Sequence, residues 1–260
     1  MLQQISLLLI SLIFLMGLHQ ASYAETPLTI TYGDSYIPFA WGSNDQVRGV
    51  QVDFVEEIIA KRLGVPVKHE GCPWKRCQLL VKDGKRDGFF TVPTQARSEY
   101  TRASELPFYK TRFLMHTAKN NPLREQLASI QSLKDLQPLT TIRHIHMLGS
   151  GWQENALKNM RRVQTIPDAA MIPYMLVKQR ADLYVEQKEM FQYQAQMAGL
   201  ENEVHTFESP VIRTLGWHLF IGHKSPHQPL MARIDTLLKA LQESGELEAL
   251  RKEIFARYEL

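Results

Sequence analysis

One stretch of the chain, Trp74 to Tyr109, constrains the fold more than any other. It reads as an amphipathic helix, a Gly-Lys turn, a short apolar strand and a polar corner, Thr94–Arg97. A strand that ends at a helix N-terminus beside an arginine can hold a small anion, because free backbone N–H groups and a planar guanidinium both bind carboxylate oxygens well. The stretch therefore predicts an α/β protein with an anion site at the end of a strand.

The first half of the chain alternates strands with helices. Strands are predicted at Leu28–Tyr32, 65–68 and 89–92. The first intervening helix has Asp53 as its expected N-cap and ends at Gly64, because acidic N-caps and a glycine after the last turn are typical helix limits. This β-α-β-α-β order predicts a largely parallel sheet with right-handed crossovers.

A second α/β unit follows the turn-like segment 118–122. Its predicted elements are a strand at 139–145, helices at 153–160 and 168–179, and strands at 181–185 and 217–221. Two C-terminal helices are predicted after them, at 230–241 and 247–258. We predict an α/β fold in the form of a two-lobed clamshell, each lobe a mostly parallel sheet flanked by helices. The expected boundaries are 25–117 plus 222–260 for lobe 1 and 118–221 for lobe 2. Such folds bind ligands in the cleft beyond the carboxyl ends of the strands.

The stretch from Trp74 to Tyr109 resembles the signature of the family 3 periplasmic solute-binding proteins, the polar-amino-acid receptors of ABC importers. The signature places an aromatic residue, an L-x-x-G-K-x-D segment, a T-x-x-R corner and a P-[FY] pair in that order. Here these are Trp74, the run from Leu80 to Asp87, Thr94–Arg97 and the pair at 107–108. Further matches at 49–53, at 130–135 and in the last two helices extend the resemblance over the whole mature chain.

The resemblance implies a ligand site that contains Arg97, whose guanidinium is expected to bind the α-carboxylate of the ligand as a bidentate fork. Thr94 belongs to the same corner, and it serves either the ligand or the helix as N-cap. Tyr36 and Trp74 match the aromatic pair that encloses the ligand side chain. The alternatives are a solvated surface arginine and two aromatic residues of the core.

From lobe 2, Gly149 and Ser150 resemble a glycine-hydroxyl step that meets the carboxylate; the alternative is a loop with an N-cap serine. Two positions depart from the amino-acid receptors. Val92 replaces a ligand-bonding Ser or Thr, and Gln187 replaces the Asp that pairs with the α-ammonium. Glu186, one position earlier, is a candidate for that negative charge. A carboxylate ligand is therefore expected, with or without an ammonium group.

The N-terminus predicts export. An apolar run from Ile5 to Leu18 precedes small residues at 22 and 24, which is typical of a secretory signal peptide cleaved after Ala24. The alternative is an uncleaved anchor, but the run is shorter than the roughly 20 residues that a membrane span needs. We expect a periplasmic protein.

Cys72 and Cys77 are the two cysteines of the chain. In an oxidising compartment such a close pair is expected to form a disulfide. The alternative is two buried thiols that do not meet, because positions five apart on a regular helix give poor disulfide geometry.

The formal net charge of +3 is spread along the chain, so no basic stripe for nucleic acid is present. Two histidine pairs, His144 with His146 and His223 with His227, each offer too few ligands for a metal site, and we expect no metal and no cofactor. The leading hypothesis is a monomeric receptor that closes on a small carboxylate or amino acid and delivers it to an ABC permease in the inner membrane. The alternatives are an enzyme on the same scaffold, similar to the cyclohexadienyl and arogenate dehydratases with Glu186 as general acid, and a ligand-binding partner of a membrane sensor.

Overall fold

The computed structural model of the chain describes residues 26–208 and 214–260. The predicted signal peptide, residues 1–24, lies outside the described residues. The strands are β1 Leu28–Gly33, β2 Ser35–Tyr36, β3 Ala40–Trp41, β4 Val67–Cys72, β5 Gly88–Thr91, β6 Thr101–Ala103, β7 Tyr109–Thr111, β8 Phe113–Ala118, β9 His144–Met147, β10 Val163–Ile166, β11 Leu183–Gln187, β12 Val204–Phe207 and β13 Leu215–Gly222.

Helices alternate with these strands. They are α1 Val50–Val55, which continues as a π-helix over Glu56–Arg62, α2 Trp74–Lys82, α3 Gln95–Ser98, α4 Arg124–Ala128, α5 Leu133–Leu136, α6 Gly151–Leu157, α7 Met171–Val177, α8 Lys188–Met197, α9 Leu230–Glu243 and α10 Glu246–Ala256. Among the helices of the described ranges, none combines the length and the apolarity that crossing a bilayer requires.

Two sheets organise the molecule, one in each lobe. The first has the order β4-β1-β5-β13-β6, with β7 also paired to β13, and the second has the order β10-β9-β11-β8-β12. In each sheet three strands run parallel, as the β-α-β order predicts: β4, β1 and β5 in the first and β10, β9 and β11 in the second. The other pairs are antiparallel, because β8 and β13 enter their sheets from the opposite lobe.

The chain passes between the sheets at different points from those predicted. β7 ends at Thr111 in the first sheet and β8 begins at Phe113 in the second, so Arg112 alone separates them. On the return, β12 ends at Phe207 in the second sheet and β13 begins at Leu215 in the first, with residues 209–213 outside the described ranges. The predicted boundaries at 117/118 and 221/222 therefore assign most of β8 and most of β13 to the wrong lobe, since each strand joins the sheet of the other lobe.

Helix α1 begins three residues before the predicted N-cap. Gly49 is the N-cap, in a backbone conformation with φ of 130° that other residues rarely adopt, and a Cβ there would lie 2.5 Å from the carbonyl oxygen of Phe39. Asp53 therefore lies inside the helix. Its carboxylate instead accepts hydrogen bonds from the Tyr258 hydroxyl at 3.1 Å and Arg257 Nη1 at 3.2 Å, which join α1 to the C-terminus of the chain.

Cys72 and Cys77 form a disulfide, with Cα atoms 5.7 Å apart. The predicted bond is confirmed, and the objection from helix geometry does not apply. Cys72 ends strand β4 and Cys77 lies in helix α2, so the two residues are not five apart on one helix. Trp74 lies in the loop that the disulfide closes, and the bond therefore restrains the backbone that presents this side chain.

Replacing both cysteines by alanine is expected to lower the free energy of unfolding by about 2 kcal/mol, because a closed loop this short removes only modest entropy from the unfolded chain. The midpoint of thermal unfolding should fall by about 4–8 °C for a protein of this size, measured by calorimetry. Treating the double variant with a reductant is the control, since it has no disulfide to lose. An unchanged midpoint in the double variant contradicts a stabilising role for the bond.

Candidate functional site

A cavity of about 80 Å³ lies between the two lobes. The second lobe contributes four of its lining residues, Met147, Leu148, Ser150 and Glu186. The first lobe contributes the rest, which are Gly33, Ser35, Tyr36, Gln51, Trp74, Phe90, Thr91, Val92, Arg97 and Trp217. Most of this wall follows the carboxyl ends of strands β1, β5, β9 and β11, as expected for an α/β cleft.

Arg97 enters the cavity from the short helix α3. Thr94 caps this helix by accepting the Arg97 backbone N–H at 3.4 Å. The side chain is 3% exposed, and its Nη1 donates to the carbonyl oxygen of Val92 at 2.7 Å while Nε donates to Gln78 Oε1 at 3.3 Å. Burial lowers the pKa of Arg97 to about 10, so the guanidinium remains charged at neutral pH.

The charge of Arg97 has no carboxylate partner among the ion pairs that the described residues form. The guanidinium carbon lies 5.4 Å from the centre of the Trp74 ring, a cation–π contact. Its Nη2 faces the start of α6 in the opposite lobe, since a Cβ added to Gly151 would lie 3.8 Å from it. A buried cation that keeps donors toward a cavity is suited to an anionic ligand.

Glu186 lines the cavity from the second lobe, opposite Arg97, and is 2% exposed. Its carboxylate accepts hydrogen bonds from neutral groups: the Gln187 N–H at 2.9 Å and the hydroxyls of Tyr36 and Tyr184, each at 3.2 Å. Burial raises the pKa of Glu186 to about 7, and these donors act in the opposite direction. The ion pairs of the described residues do not include Glu186 either.

Tyr36 joins the two lobes at this carboxylate. Its hydroxyl donates to Glu186 Oε1 at 3.2 Å and accepts from Gln187 Nε2 at 2.6 Å. Its ring lies 5.7 Å from both Phe39 and Trp217, in an aromatic cluster beside the strands that cross between lobes. Tyr36 therefore connects the fixed aromatic wall of lobe 1 with the polar end of strand β11.

Gly149 and Ser150 bring the second lobe against Trp74. Gly149 has a φ of 82°, and a Cβ added there would lie 3.2 Å from Trp74 Cδ1, so a side chain would press on the indole. Ser150 precedes α6, and its side chain makes no capping hydrogen bond. The serine lines the cavity instead.

The structure brings together five of the eight predicted ligand-binding residues in the cavity lining, namely Tyr36, Trp74, Arg97, Ser150 and Glu186. The other three lie just outside it. Thr94 and Gly149 line a groove at the outer mouth of the cleft, and Gln187 holds the Tyr36 hydroxyl. These positions describe geometry, and the binding roles remain predictions.

Sequence reasoning did not assign several lining residues to the site. Met147 and Leu148 directly precede the Gly149 step, so their proximity was a usable signal. Phe90 and Trp217 lie in predicted strands, which indicates burial but not a place in the cavity. Gln51 has no signal in the sequence, because its approach to the cavity depends on how α1 packs across the sheet. In the described part of the chain, no group of three or more His, Cys, Asp or Glu side chains is placed to hold a metal ion.

The sequence profile of the bacterial extracellular solute-binding proteins, family 3, matches residues 28–257. No curated protein sequence matches the chain. Among solved structures, a histidine kinase sensor domain with similarity to periplasmic binding proteins superposes with a TM-score of 0.70 at 16% identity, covering 88% of this chain and 96% of its own.

Two binding proteins are similarly close in fold. An ancestral amino acid-binding protein, described as a precursor of cyclohexadienyl dehydratase, has a TM-score of 0.67 at 20% identity and covers 88% of this chain and 95% of its own. The arginine-, lysine-, histidine-binding protein of Geobacillus stearothermophilus has a TM-score of 0.69 at 14% identity and covers 89% and 96%. At these identities the likeness concerns the fold alone.

Proposed function

Because this chain belongs to the bacterial extracellular solute-binding proteins of family 3, we propose that it is an exported receptor that closes on a small α-amino acid and delivers it to an ABC permease. One observation carries the proposal. Two buried and opposite charges, Arg97 and Glu186, line one interlobe cavity from opposite lobes, and neither has an ion-pair partner among the described residues. An α-amino acid carries the two complementary charges on one carbon.

Arg97 is assigned to the carboxylate of the ligand. Its guanidinium is held by the bonds of Nη1 to Val92 and of Nε to Gln78 before the ligand arrives, so little side-chain entropy is lost on binding, and Nη2 faces the opposite lobe as the donor for the carboxylate. Glu186 is assigned to the ammonium group, in place of the absent aspartate at position 187. A buried carboxylate surrounded only by neutral donors gains a strong partner when an ammonium group enters.

Ligand contacts from both lobes stabilise the closed conformation, which is how such receptors present a loaded form to a membrane partner. The hydrogen bonds of Tyr36 to Glu186 and Gln187 already cross between the lobes. Glu186 Oε1 already accepts two hydrogen bonds, and Oε2 accepts one from the Tyr184 hydroxyl at 3.2 Å and a longer one from Gln153 Nε2 at 3.5 Å. The ammonium group is therefore assigned to Oε2, where it replaces the long bond from Gln153.

A panel of L-amino acids and their deaminated analogues should identify the ligand by thermal shift. At 100 times its dissociation constant, a ligand adds about 2.7 kcal/mol of stability and raises the unfolding midpoint by about 5–10 °C. Isothermal calorimetry then gives the affinity. If no amino acid and no carboxylate in the panel moves the midpoint, the proposed function is wrong.

One observation favours a second candidate, an enzyme. A buried carboxyl with a pKa of about 7 is suited to general acid catalysis at neutral pH. Incubation with prephenate and with arogenate separates the two functions. Release of an aromatic product that depends on Glu186 supports a dehydratase, whereas binding without turnover supports the receptor. A role as ligand-binding partner of a membrane sensor requires the same binding step and differs only in the protein contacted.

A further inference from the structure

The remaining wall of the cavity indicates which amino acids fit. Resting on the proposed function, we infer that the ligand is an α-amino acid with an uncharged, largely apolar side chain, and that cationic and acidic amino acids are excluded. The inference follows from the composition of the lining beyond Arg97 and Glu186, which the proposed function assigns to the carboxylate and the ammonium group.

Within the described lining, those two residues are the only charged ones. The other members with polar side chains are neutral, and they are Ser35, Tyr36, Gln51, Thr91 and Ser150. A second charge on the ligand would therefore lose its hydration without meeting an opposite charge, and an isolated buried charge is strongly disfavoured.

The rest of the wall offers apolar contact. Trp74, Phe90 and Val92 belong to lobe 1, and Met147 and Leu148 come from lobe 2, so apolar surface approaches the ligand from both sides. Val92 is a buried member of this wall, and its side chain offers carbon atoms alone.

Trp217 adds to this surface because its polar atom is already used. The indole Nε1 donates to Thr111 Oγ1 at 2.9 Å, away from the cavity. Its ring stacks on Phe39 with an interplanar angle of 2° and on Tyr109 with an angle of 13°. The face toward the ligand is therefore held in place by packing and presents carbon atoms.

The expected selectivity differs from that of the Geobacillus neighbour, whose ligands are arginine, lysine and histidine. In the present cavity a cationic side chain competes with the α-ammonium for Glu186, the single carboxylate among the described lining residues. One of the two cations then stays unpaired in a buried site, and such a ligand binds weakly.

Norleucine, lysine and α-aminoadipate provide a direct test, because they share a straight side chain of similar length and differ in its terminal charge. Affinities are measured by calorimetry on the mature wild-type protein at pH 7.5. Norleucine is expected to bind at least 100-fold more tightly than either charged analogue. Equal or tighter binding of lysine or α-aminoadipate overturns the inference while leaving an amino-acid receptor. Binding of none of the three, nor of any other amino acid, overturns the proposed function and this inference with it.

Leu148 allows the selectivity to be changed by design. It lines the cavity and is 53% exposed, so Leu148→Glu introduces a carboxylate near the ligand side chain with little cost to folding. We expect the ratio of lysine to norleucine affinity to rise at least tenfold. Met197→Glu is the matched control, since Met197 is an exposed apolar residue at the end of α8, away from the lining. An equal response of the two variants contradicts the placement of Leu148 beside the ligand side chain.

Discussion

Replacing Arg97 by methionine is expected to weaken amino-acid binding by about 100- to 1000-fold, because the ligand carboxylate loses its charge-assisted bonds and remains buried without a partner. The affinity of Arg97→Lys should lie between those of Arg97→Met and the wild type, since an ammonium group supplies the charge but not the planar pair of donors. Calorimetric titration with the ligand found in the panel measures both effects.

The stability of the unliganded protein separates a binding role from a structural one. The Arg97 guanidinium is buried and takes part in none of the ion pairs of the described residues, and burial lowers its pKa to about 10. A charge held at such a cost does not stabilise the fold, so Arg97→Met should leave the unfolding midpoint unchanged or raise it. Arg102, which pairs with Asp235 at 3.0 Å on the surface, provides the matched control, and Arg102→Met should bind the ligand like the wild type. Unaltered affinity in Arg97→Met, or lost affinity together with a midpoint lowered by more than about 5 °C, contradicts the assignment of Arg97 to the ligand.

The Arg97 corner could be predicted because its causes are local. The cap by Thr94, the turn after a buried strand and the arginine three positions later are all set within a few residues of each other. The C-terminal helices followed from the same kind of signal, an apolar face and the separating glycine at 245, which adopts a left-handed conformation in the structure. Local chemistry of this kind is visible in one sequence.

The points where the chain changes lobes could not be predicted in the same way. The segment 118–122 contains turn-forming residues, which predict a crossing there, but it lies at the end of β8 within the second lobe. The actual crossing needs only one residue, Arg112, between the end of β7 and the start of β8. A short segment that leaves one sheet and enters another has no distinctive amino-acid composition by which it could be recognised.

The contact between Tyr36 and Glu186 could not be predicted from the sequence either. The two residues are 150 positions apart, and their hydrogen bond depends on closure of one lobe on the other. What the sequence did supply was alternation along β11, which places Glu186 on the same face as Tyr184, and the hydroxyl of Tyr184 donates to that carboxylate. The family position of the missing aspartate falls on Gln187, where the strand ends and the side chain reaches Tyr36 instead.

Glu186 gives the second large effect, a dependence of affinity on pH whose sign depends on the ligand. The pKa of Glu186 in the free protein is about 7, raised by burial, and an ammonium group binds only the ionised carboxylate. Lowering the pH from 8 to 5 should therefore weaken the binding of an α-amino acid by about 100-fold. A deaminated analogue has no cation to pair with Glu186, so its affinity should rise as the carboxylate becomes protonated between pH 8 and 6.

Proton release provides a direct measurement. At pH 6 most of the free protein carries a proton on Glu186, so binding of an amino acid should release about 0.9 proton, falling to about 0.1 proton at pH 8. Calorimetry in two buffers of different ionisation enthalpy gives these numbers. Glu186→Gln should abolish the proton release. It should also weaken binding of the amino acid by about 100-fold at pH 8 and leave the affinity for the deaminated analogue unchanged. Glu99→Gln, a change at an exposed carboxylate of the outer groove, is the control and should behave like the wild type.

The stability of the unliganded protein should also depend on pH through Glu186. A carboxyl whose pKa rises from 4.5 to about 7 on folding contributes stability that is complete below pH 4.5 and is lost as the pH rises through 7. The difference at high pH amounts to about 3 kcal/mol for this one group. Glu186→Gln removes the penalty, so the variant should unfold at a higher temperature than the wild type at pH 8 and at nearly the same temperature at pH 5. Parallel unfolding curves for the two proteins across this range, together with amino-acid binding that does not change with pH, would show that Glu186 is not the partner of the ligand ammonium. Arg97 alone would then define the ligand, as a simple carboxylate.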